Sequence, residues 1–475
     1  MIGYHKEMIE KLLSEYGLKD TWLSLLYNLY GDERIEHNGR ITVNLLKNLS
    51  YFEIADLYEY SLSFVNKEDK KERGQYYTPR DICELMARQA ERFPDGVWCD
   101  PCCGVGNLSY ELLRLKPELF ESMQFFDLDE VALTLCMWLL SKLCGIDVEL
   151  VKDNFHNKSF LDDKDDFYDY VLMNPPYDGS SEIAFMRKAA ESLGFVAITP
   201  QSFTNSLSKD CVSLKEKLNA DFSYLKIYCF DNIPGTIFNG EKKGVFNTNM
   251  SNSVRAAITV CHNHQEGHFI TPLMRWRSSQ RDEMLRSVGS FLEKSDRIFQ
   301  NGKFLKLYKN SDRYLDYGDT TISEVLSKAP TEYALYVPTT PRYFLTASRR
   351  KLRRSGCHTL YFPSAETMSK AYIILNSSYA YWWWRIADGG MTLSRETLET
   401  MRVDSSMSLS QSIISKLIEE ETICLTTKNN AGIICENVKH SERLTKEIDE
   451  FVGCQDLYYT RSNTYIGEQN EQVQL

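Results

Sequence analysis

The tetrapeptide Asn174-Pro175-Pro176-Tyr177 is the part of this chain whose residue types could most directly do chemistry. Two consecutive prolines rigidify a turn, and neither has an N–H to donate. The Asn174 side-chain oxygen and the Pro175 carbonyl can then present a fixed pair of acceptors, which an exocyclic amino group would match with two donors. The Tyr177 ring can stack on the heterocycle that carries such a group. A turn with a purely structural role is the competing reading.

A second segment, Asp100-Pro101-Cys102-Cys103-Gly104-Val105-Gly106-Asn107, follows the short apolar run Val97-Trp98-Cys99. Glycines at such a strand-to-helix turn let a ligand approach the backbone closely. Asp127 lies 23 residues past Gly104, at the end of the next apolar run, and suits a carboxylate that accepts from ribose hydroxyls. The loop lacks the third glycine of the dinucleotide fingerprint, and its leading carboxylate would repel a pyrophosphate. S-adenosylmethionine, with an ammonium and a sulfonium, fits better. A tight turn that binds nothing is the alternative.

The elements around these segments alternate. Strands are expected at 97–99, 124–126, 168–173 and 195–198, and helices at 108–115, 131–144 and 183–193. That order implies an α/β fold with a doubly wound, mainly parallel sheet. The tetrapeptide and the glycine loop would both leave strands of this sheet. Residues 1–70 show helical spacing through Leu12, Leu13, Tyr16, Trp22, Leu25 and Leu29, and again from Leu45 to Phe64. The charged run from Lys67 to Gly74 reads as a linker. After about residue 264 the alternation fades into mixed α and β segments. The expected organisation is an N-terminal helical segment (1–72), an α/β catalytic domain (73–264) and a separate mixed α+β domain (265–475).

At 475 residues, 43% hydrophobic and 25% charged, the chain excludes disordered and collagen-like classes and calls for two or three domains. No apolar run reaches the ~18 residues of a membrane span. The charged N-terminus lacks a signal-peptide core, and 13 cysteines in no framework spacing point to reduced thiols and a cytoplasmic protein. Cys261, His262, His264 and His268 do not fit a usual zinc spacing and are expected to lie in a polar loop, so no metal is expected. Net charge is −11, yet residues 265–360 carry a net +7 and the remainder −18. The basic stretch Arg349, Arg350, Lys351, Arg353 and Arg354, just after Arg342-Tyr343-Phe344, is the electrostatic footprint expected for phosphate contacts. A solvated helix face is its bland reading. Trp382-Trp383-Trp384 could wedge at a base step, although buried anchors are the commoner use of such residues.

Taken together, these segments resemble the amino-methylating DNA methyltransferases, specifically the adenine-N6 enzymes of the γ motif order, among them type I modification subunits and type II and IIG enzymes. Gly74-Gln75-Tyr76-Tyr77-Thr78-Pro79 is similar to the family's N-terminal cofactor motif, Asp100–Gly106 to its glycine motif and Asn174–Tyr177 to its catalytic motif. The likeness covers residues 74 to about 262. It implies a Rossmann-like sheet, S-adenosylmethionine as cofactor and a flipped-out adenine in double-stranded DNA as substrate. Tyr77 and Thr78 would hold the methionine end of the cofactor, Asp100 its ammonium, Gly104 and Gly106 the close backbone approach, and Asp127 its ribose. Asp153 would accept from the cofactor's adenine, and Asn174 would reach both cofactor and substrate. Phe238 would stack on the flipped base, with Phe246 as rival. The C-terminal half would be a target-recognition domain, and the acidic remainder of the chain leaves room for a separate specificity or restriction subunit. Methylation of protein glutamine, of RNA or of cytosine N4, a degenerate DNA-binding subunit, and a nuclease built on Asp231 and Glu241-Lys242-Lys243 are the competing functions.

Overall fold

The computed structural model describes residues 2–65, 78–163, 167–231, 237–239, 255–274, 276, 278–296, 298–300, 304–305, 312–341, 344–388, 392–430 and 433–461. The chain divides into two compact units, residues 1–200 with 213–298, and residues 201–212 with 299–475.

The first unit is built on a nine-stranded sheet, ordered β3-β2-β1-β4-β5-β7-β6-β8-β9. Its strands are β1 (Trp98–Asp100), β2 (Gln124–Phe126), β3 (Phe155–His156), β4 (Tyr170–Met173), β5 (Gly194–Pro200), β6 (Tyr224–Phe230), β7 (Ala256–His262), β8 (Gly267–Ile270) and β9 (Glu293–Ser295). The first five pair in parallel. β7 then runs antiparallel between β5 and β6. Every residue of β4, β6 and β7 is buried, as expected for strands covered on both faces. The connections reverse direction between β1 and β4, and such a switch point opens a crevice at the carboxyl ends of the strands. The doubly wound α/β expectation therefore holds, with antiparallel strands added beyond β5.

Helices follow the strands closely to the expected bounds: α4 (Asn107–Leu115) after β1, α5 (Glu130–Cys144) after β2 and α6 (Ser181–Ala189) after β4. α3 (Arg80–Ala90) precedes the sheet. The helical N-terminus forms α1 (Ile2–Tyr30), broken at Gly17 with φ 77°, and α2 (Tyr51–Val65). These two helices are built into the unit. Trp22 is fully buried and meets Tyr58 edge-on at 5.1 Å, Lys19 bridges Glu130 of α5, and Tyr58 Oη donates to Asp129 Oδ2 at 2.7 Å.

The boundary expected at residue 264 falls elsewhere. β8 pairs in parallel with β6, and β9 runs antiparallel to β8, so the sheet extends the first unit to Ile298. Residues 201–212 belong instead to the second unit. Short strands separated by a helix and 3-10 turns carry no clear period, which is why the alternation fades in the sequence. Cys261 and His262 are not in a polar loop but end β7. The His262 ring stacks on Tyr224 at 4.3 Å.

The second unit is mainly helical, with paired strands 334–338/357–361 and 425–430/433–438. Its core is α8 (Ser378–Ala387), whose ten residues are all buried. Trp382, Trp383 and Trp384 are at most 3% exposed, so they are interior anchors rather than a presented wedge. The α8 N-terminus is held by Asp449, whose carboxylate accepts from Ser378 N and Oγ at 2.7 and 2.5 Å. No single helix among the described residues is long and apolar enough to cross a membrane.

Candidate active site

The crevice between β1 and β4 holds a cavity of about 720 Å³, lined among others by Thr78, Asp100, Gly104, Asp127, Asn174, Pro175 and Pro176. These residues span almost a hundred positions of sequence, and the parallel sheet delivers them to one edge.

Asp100 ends β1 and is 1% exposed. Its Oδ2 accepts from Ser109 Oγ at 2.6 Å, while its buried Oδ1 has no partner. Burial raises this carboxyl to about 7, over the opposing hydrogen bond from Ser109. Asn107, the first residue of α4, donates to the Thr78 carbonyl at 3.2 Å and likewise leaves its buried Oδ1 without a partner. Two orphaned acceptors on one cavity wall are a cradle for a cation with several donors, since an unpartnered buried acceptor costs ~1–3 kcal/mol.

The glycine loop is clamped from the second strand. Cys103 N donates to Phe126 O at 2.9 Å, and Gly104 N donates to Asp127 Oδ2 at 2.7 Å. Asp127 Oδ1 accepts from Asp129 N at 2.8 Å. Each carboxylate oxygen retains a second lone pair that ribose hydroxyls could use. Burial pushes Asp127 up to about 6, against these amide hydrogen bonds. Gly106 does not line the cavity. It sits at φ 93°, and a Cβ there would lie 2.6 Å from Tyr51 Oη and 2.7 Å from Cys136 Sγ. Glycine is demanded at that position by packing, because Tyr51 presses on the loop from α2 and donates to the Val105 carbonyl.

Asn174 leaves β4 with its amide oriented. Nδ2 donates to Thr78 Oγ1 at 2.9 Å, which turns the carbonyl oxygen of the amide the other way. Tyr177 Oη donates to Ile198 O of β5 at 3.1 Å, and its ring meets Phe238 edge-on at 5.6 Å. Asp178 Oδ1 accepts from Ser180 N and Ser181 N at 2.9 and 2.7 Å, tying the turn to the start of α6.

Two expected site residues fall outside this arrangement, and two lie outside the described residues. Asp153 is exposed, in a 3-10 turn that directly precedes β3. β3 pairs with β2 at Phe125–Phe155, whose rings stack at 4.4 Å, and Lys158, Ser159, Phe160 and Leu161, which follow β3, line the cavity. A two-residue strand is too short for its period to reveal this. Gly106 is the second, for the packing reason above. Tyr77 and Phe246 are outside the described residues. Asn107, Leu128 and the 158–161 turn went unnoticed in the sequence, although Asn107 directly follows the glycine loop.

In the second unit Arg349, Arg350, Lys351 and Arg353 are exposed on an irregular segment, not a helix face. Arg354 is half-buried and donates to Asn437 Oδ1 and Thr340 Oγ1, both at 2.8 Å.

Parts of this chain are similar to known proteins. Residues 51–225 match the family model described as N-6 DNA Methylase. The type II methyltransferase M.VspI of Vibrio sp. (strain 343) is 32% identical over 130 residues, covering 26% of this chain and 29% of that protein. The type I restriction enzyme MjaIX methylase subunit of Methanocaldococcus jannaschii is 26% identical over 181 residues, covering 37% of this chain and 30% of that protein. The matched stretch thus spans less than a third of either relative's length. Among solved structures, a modification subunit of a putative type I restriction enzyme from Vibrio vulnificus YJ016 superposes with a TM-score of 0.40 at 16% identity, covering 57% of this chain and 68% of that one. Residues 51–225, which carry the glycine loop, Asp127 and the Asn174 turn, are thus the part of this chain that is similar to the N-6 DNA Methylase family.

Proposed function

We propose that this chain transfers a methyl group from S-adenosylmethionine to N6 of an adenine flipped out of double-stranded DNA, as part of a restriction-modification or epigenetic system. The observation that carries the reading is the Asn174 amide, oriented by Thr78 in a cavity that is also lined by Asp100 and Asn107, each with an orphaned oxygen.

S-adenosylmethionine, when bound, supplies an electrophilic methyl group on a sulfonium. Asp100 and Asn107 would accept from its ammonium, Asp127 from its ribose hydroxyls, and Gly104 would leave room for its backbone approach. Asn174 Oδ1 and the Pro175 carbonyl would accept from the target amino group. Adenine N6 is a poor nucleophile because its lone pair is delocalised, and two fixed acceptors favour a pyramidal, more reactive nitrogen. Tyr177 and Phe238 offer faces for the extruded base, whose unstacking costs a few kcal/mol and is repaid by aromatic contact of ~1–3 kcal/mol. The N6 proton leaves to water, and no covalent enzyme intermediate is needed. The second unit acts as the target-recognition domain, with Arg349, Arg350, Lys351 and Arg353 on phosphates.

The test is methyl transfer from labelled S-adenosylmethionine to unmethylated genomic DNA, with Asn174→Ala in parallel and nucleoside analysis of the product. N6-methyladenine from wild type and none from the variant is the expected result. Cofactor binding without product would assign target recognition to a separate specificity subunit or the reaction to a non-DNA substrate. A chain that binds no cofactor is not a methyltransferase.

A further inference from the structure

Arg281 lies far from the glycine loop and the Asn174 turn in sequence, yet it joins the segment that carries Thr78 to the segment that carries Phe238. It opens α7 (Arg281–Ser287) and is 6% exposed. Its Nε donates to Asp81 Oδ2, and its Nη2 donates to Asp81 Oδ1 at 2.9 Å and to the Ile237 carbonyl at 2.6 Å. Asp81 is in the first turn of α3, three residues after the Thr78 that orients Asn174. Ile237 directly precedes Phe238, whose ring meets Tyr177.

We propose that Arg281 is a positioning residue for the target base: one guanidinium sets the spacing between the Thr78–Asn174 clamp and the Phe238 wall. The inference rests on the methyltransferase reading above. Three features make arginine suited to the task. Its planar fork meets both carboxylate oxygens of Asp81 in fixed geometry, and a remaining donor of the same plane reaches the Ile237 carbonyl. The charge is paired, so its burial is tolerated. A lysine at the same place would keep the charge but could not hold both partners in one plane. Asp100 and Asp127, the carboxylates assigned to S-adenosylmethionine, belong to other elements, and only Asn107 shares Thr78 with the clamp. Loss of Arg281 should therefore act far more on the base than on the cofactor.

The experiment compares wild type, Arg281→Lys and Asp81→Asn as full-length proteins. Readouts are S-adenosylmethionine Kd, kcat and KM for DNA, melting temperature, and the fluorescence of a duplex carrying 2-aminopurine at the position that wild type methylates. The expected result for both variants is a fall in kcat of about tenfold or more and a smaller 2-aminopurine rise, with cofactor Kd and melting temperature close to wild type. Arg281→Lys matching wild type in kcat and fluorescence overturns the inference. So does a parallel loss of cofactor binding and melting temperature, which would mark a purely structural contact. A wild-type chain that transfers no methyl to DNA overturns the reading of a chain that methylates DNA by itself, and this inference with it, and is told apart by failing before any substitution is made.

Discussion

Thr78 and Asn174, 96 residues apart in sequence, are joined by a 2.9 Å hydrogen bond from the Asn174 amide to the Thr78 hydroxyl. The bond fixes which atom of the amide faces the proposed substrate. Thr78→Val, which keeps the shape and loses the acceptor, should lower kcat by about 10–100-fold, while Asn174→Ala should cost about 10²–10³-fold. Thr78→Ser should recover most of the activity. Steady-state kinetics of the three variants check this, and a Thr78→Val enzyme as fast as wild type would refute the orienting role.

Cofactor stabilisation should grow with pH. Asp100 and Asp127 have folded carboxyls raised to about 7 and about 6, so their contribution to stability is full below the unfolded value near 3.8 and is lost as pH rises through 6–7. A bound ammonium reverses this penalty by favouring the ionised carboxyl. The rise in melting temperature on adding S-adenosylmethionine should therefore be larger at pH 8 than at pH 5.5, and binding should release protons, seen as a buffer-dependent enthalpy in calorimetry. An equal shift at both pH values would remove Asp100 as the ammonium acceptor.

Gly106→Ala should distort the loop more than an ordinary glycine replacement. The new Cβ would sit at φ 93° against Tyr51 Oη and Cys136 Sγ, with strain of ~1–3 kcal/mol. Lower melting temperature together with weaker cofactor binding is the expected pair of effects. Tyr51→Phe should reproduce part of it, since the buried Val105 carbonyl loses its donor. Differential scanning calorimetry and cofactor titration measure both.

His262 should sense acid with the opposite sign. Burial holds its folded imidazole down to about 4 from 6.5, so its contribution is full above pH 6.5 and is lost as pH falls towards 4. His262→Phe, which retains the stack on Tyr224, should flatten the decline of melting temperature between pH 6.5 and 4. An unchanged pH profile would show that the imidazole already protonates freely in the fold.

The second unit separates a core from a surface. Trp384→Ala should lower stability by ~3–5 kcal/mol, because a fully buried ring leaves a cavity. Arg350→Ala should leave melting unchanged, weaken binding of all DNA sequences alike and reduce the salt slope by about one. Fluorescence anisotropy across salt concentrations checks it; DNA binding insensitive to Arg350 would place the phosphate grip elsewhere.

Local chemistry is what the sequence determined by itself. The tetrapeptide, the glycine loop, Asp127 and the alternating elements could be read because prolines, glycines and apolar periods act over a few residues, and the structure brings Asp100, Gly104, Asp127 and Asn174 to one cavity. What depended on pairing between distant strands could not be read. The register of β3 removed Asp153 from the crevice and put Lys158–Leu161 there. The parallel match of β8 to β6 carried the first unit past residue 264. Gly106 is set by Tyr51, a side chain from a helix 55 residues earlier, and Arg281 reaches Asp81 across 200 positions. A residue's type announces which contacts it can make, but only the folded sheet decides which partner stands within 3 Å.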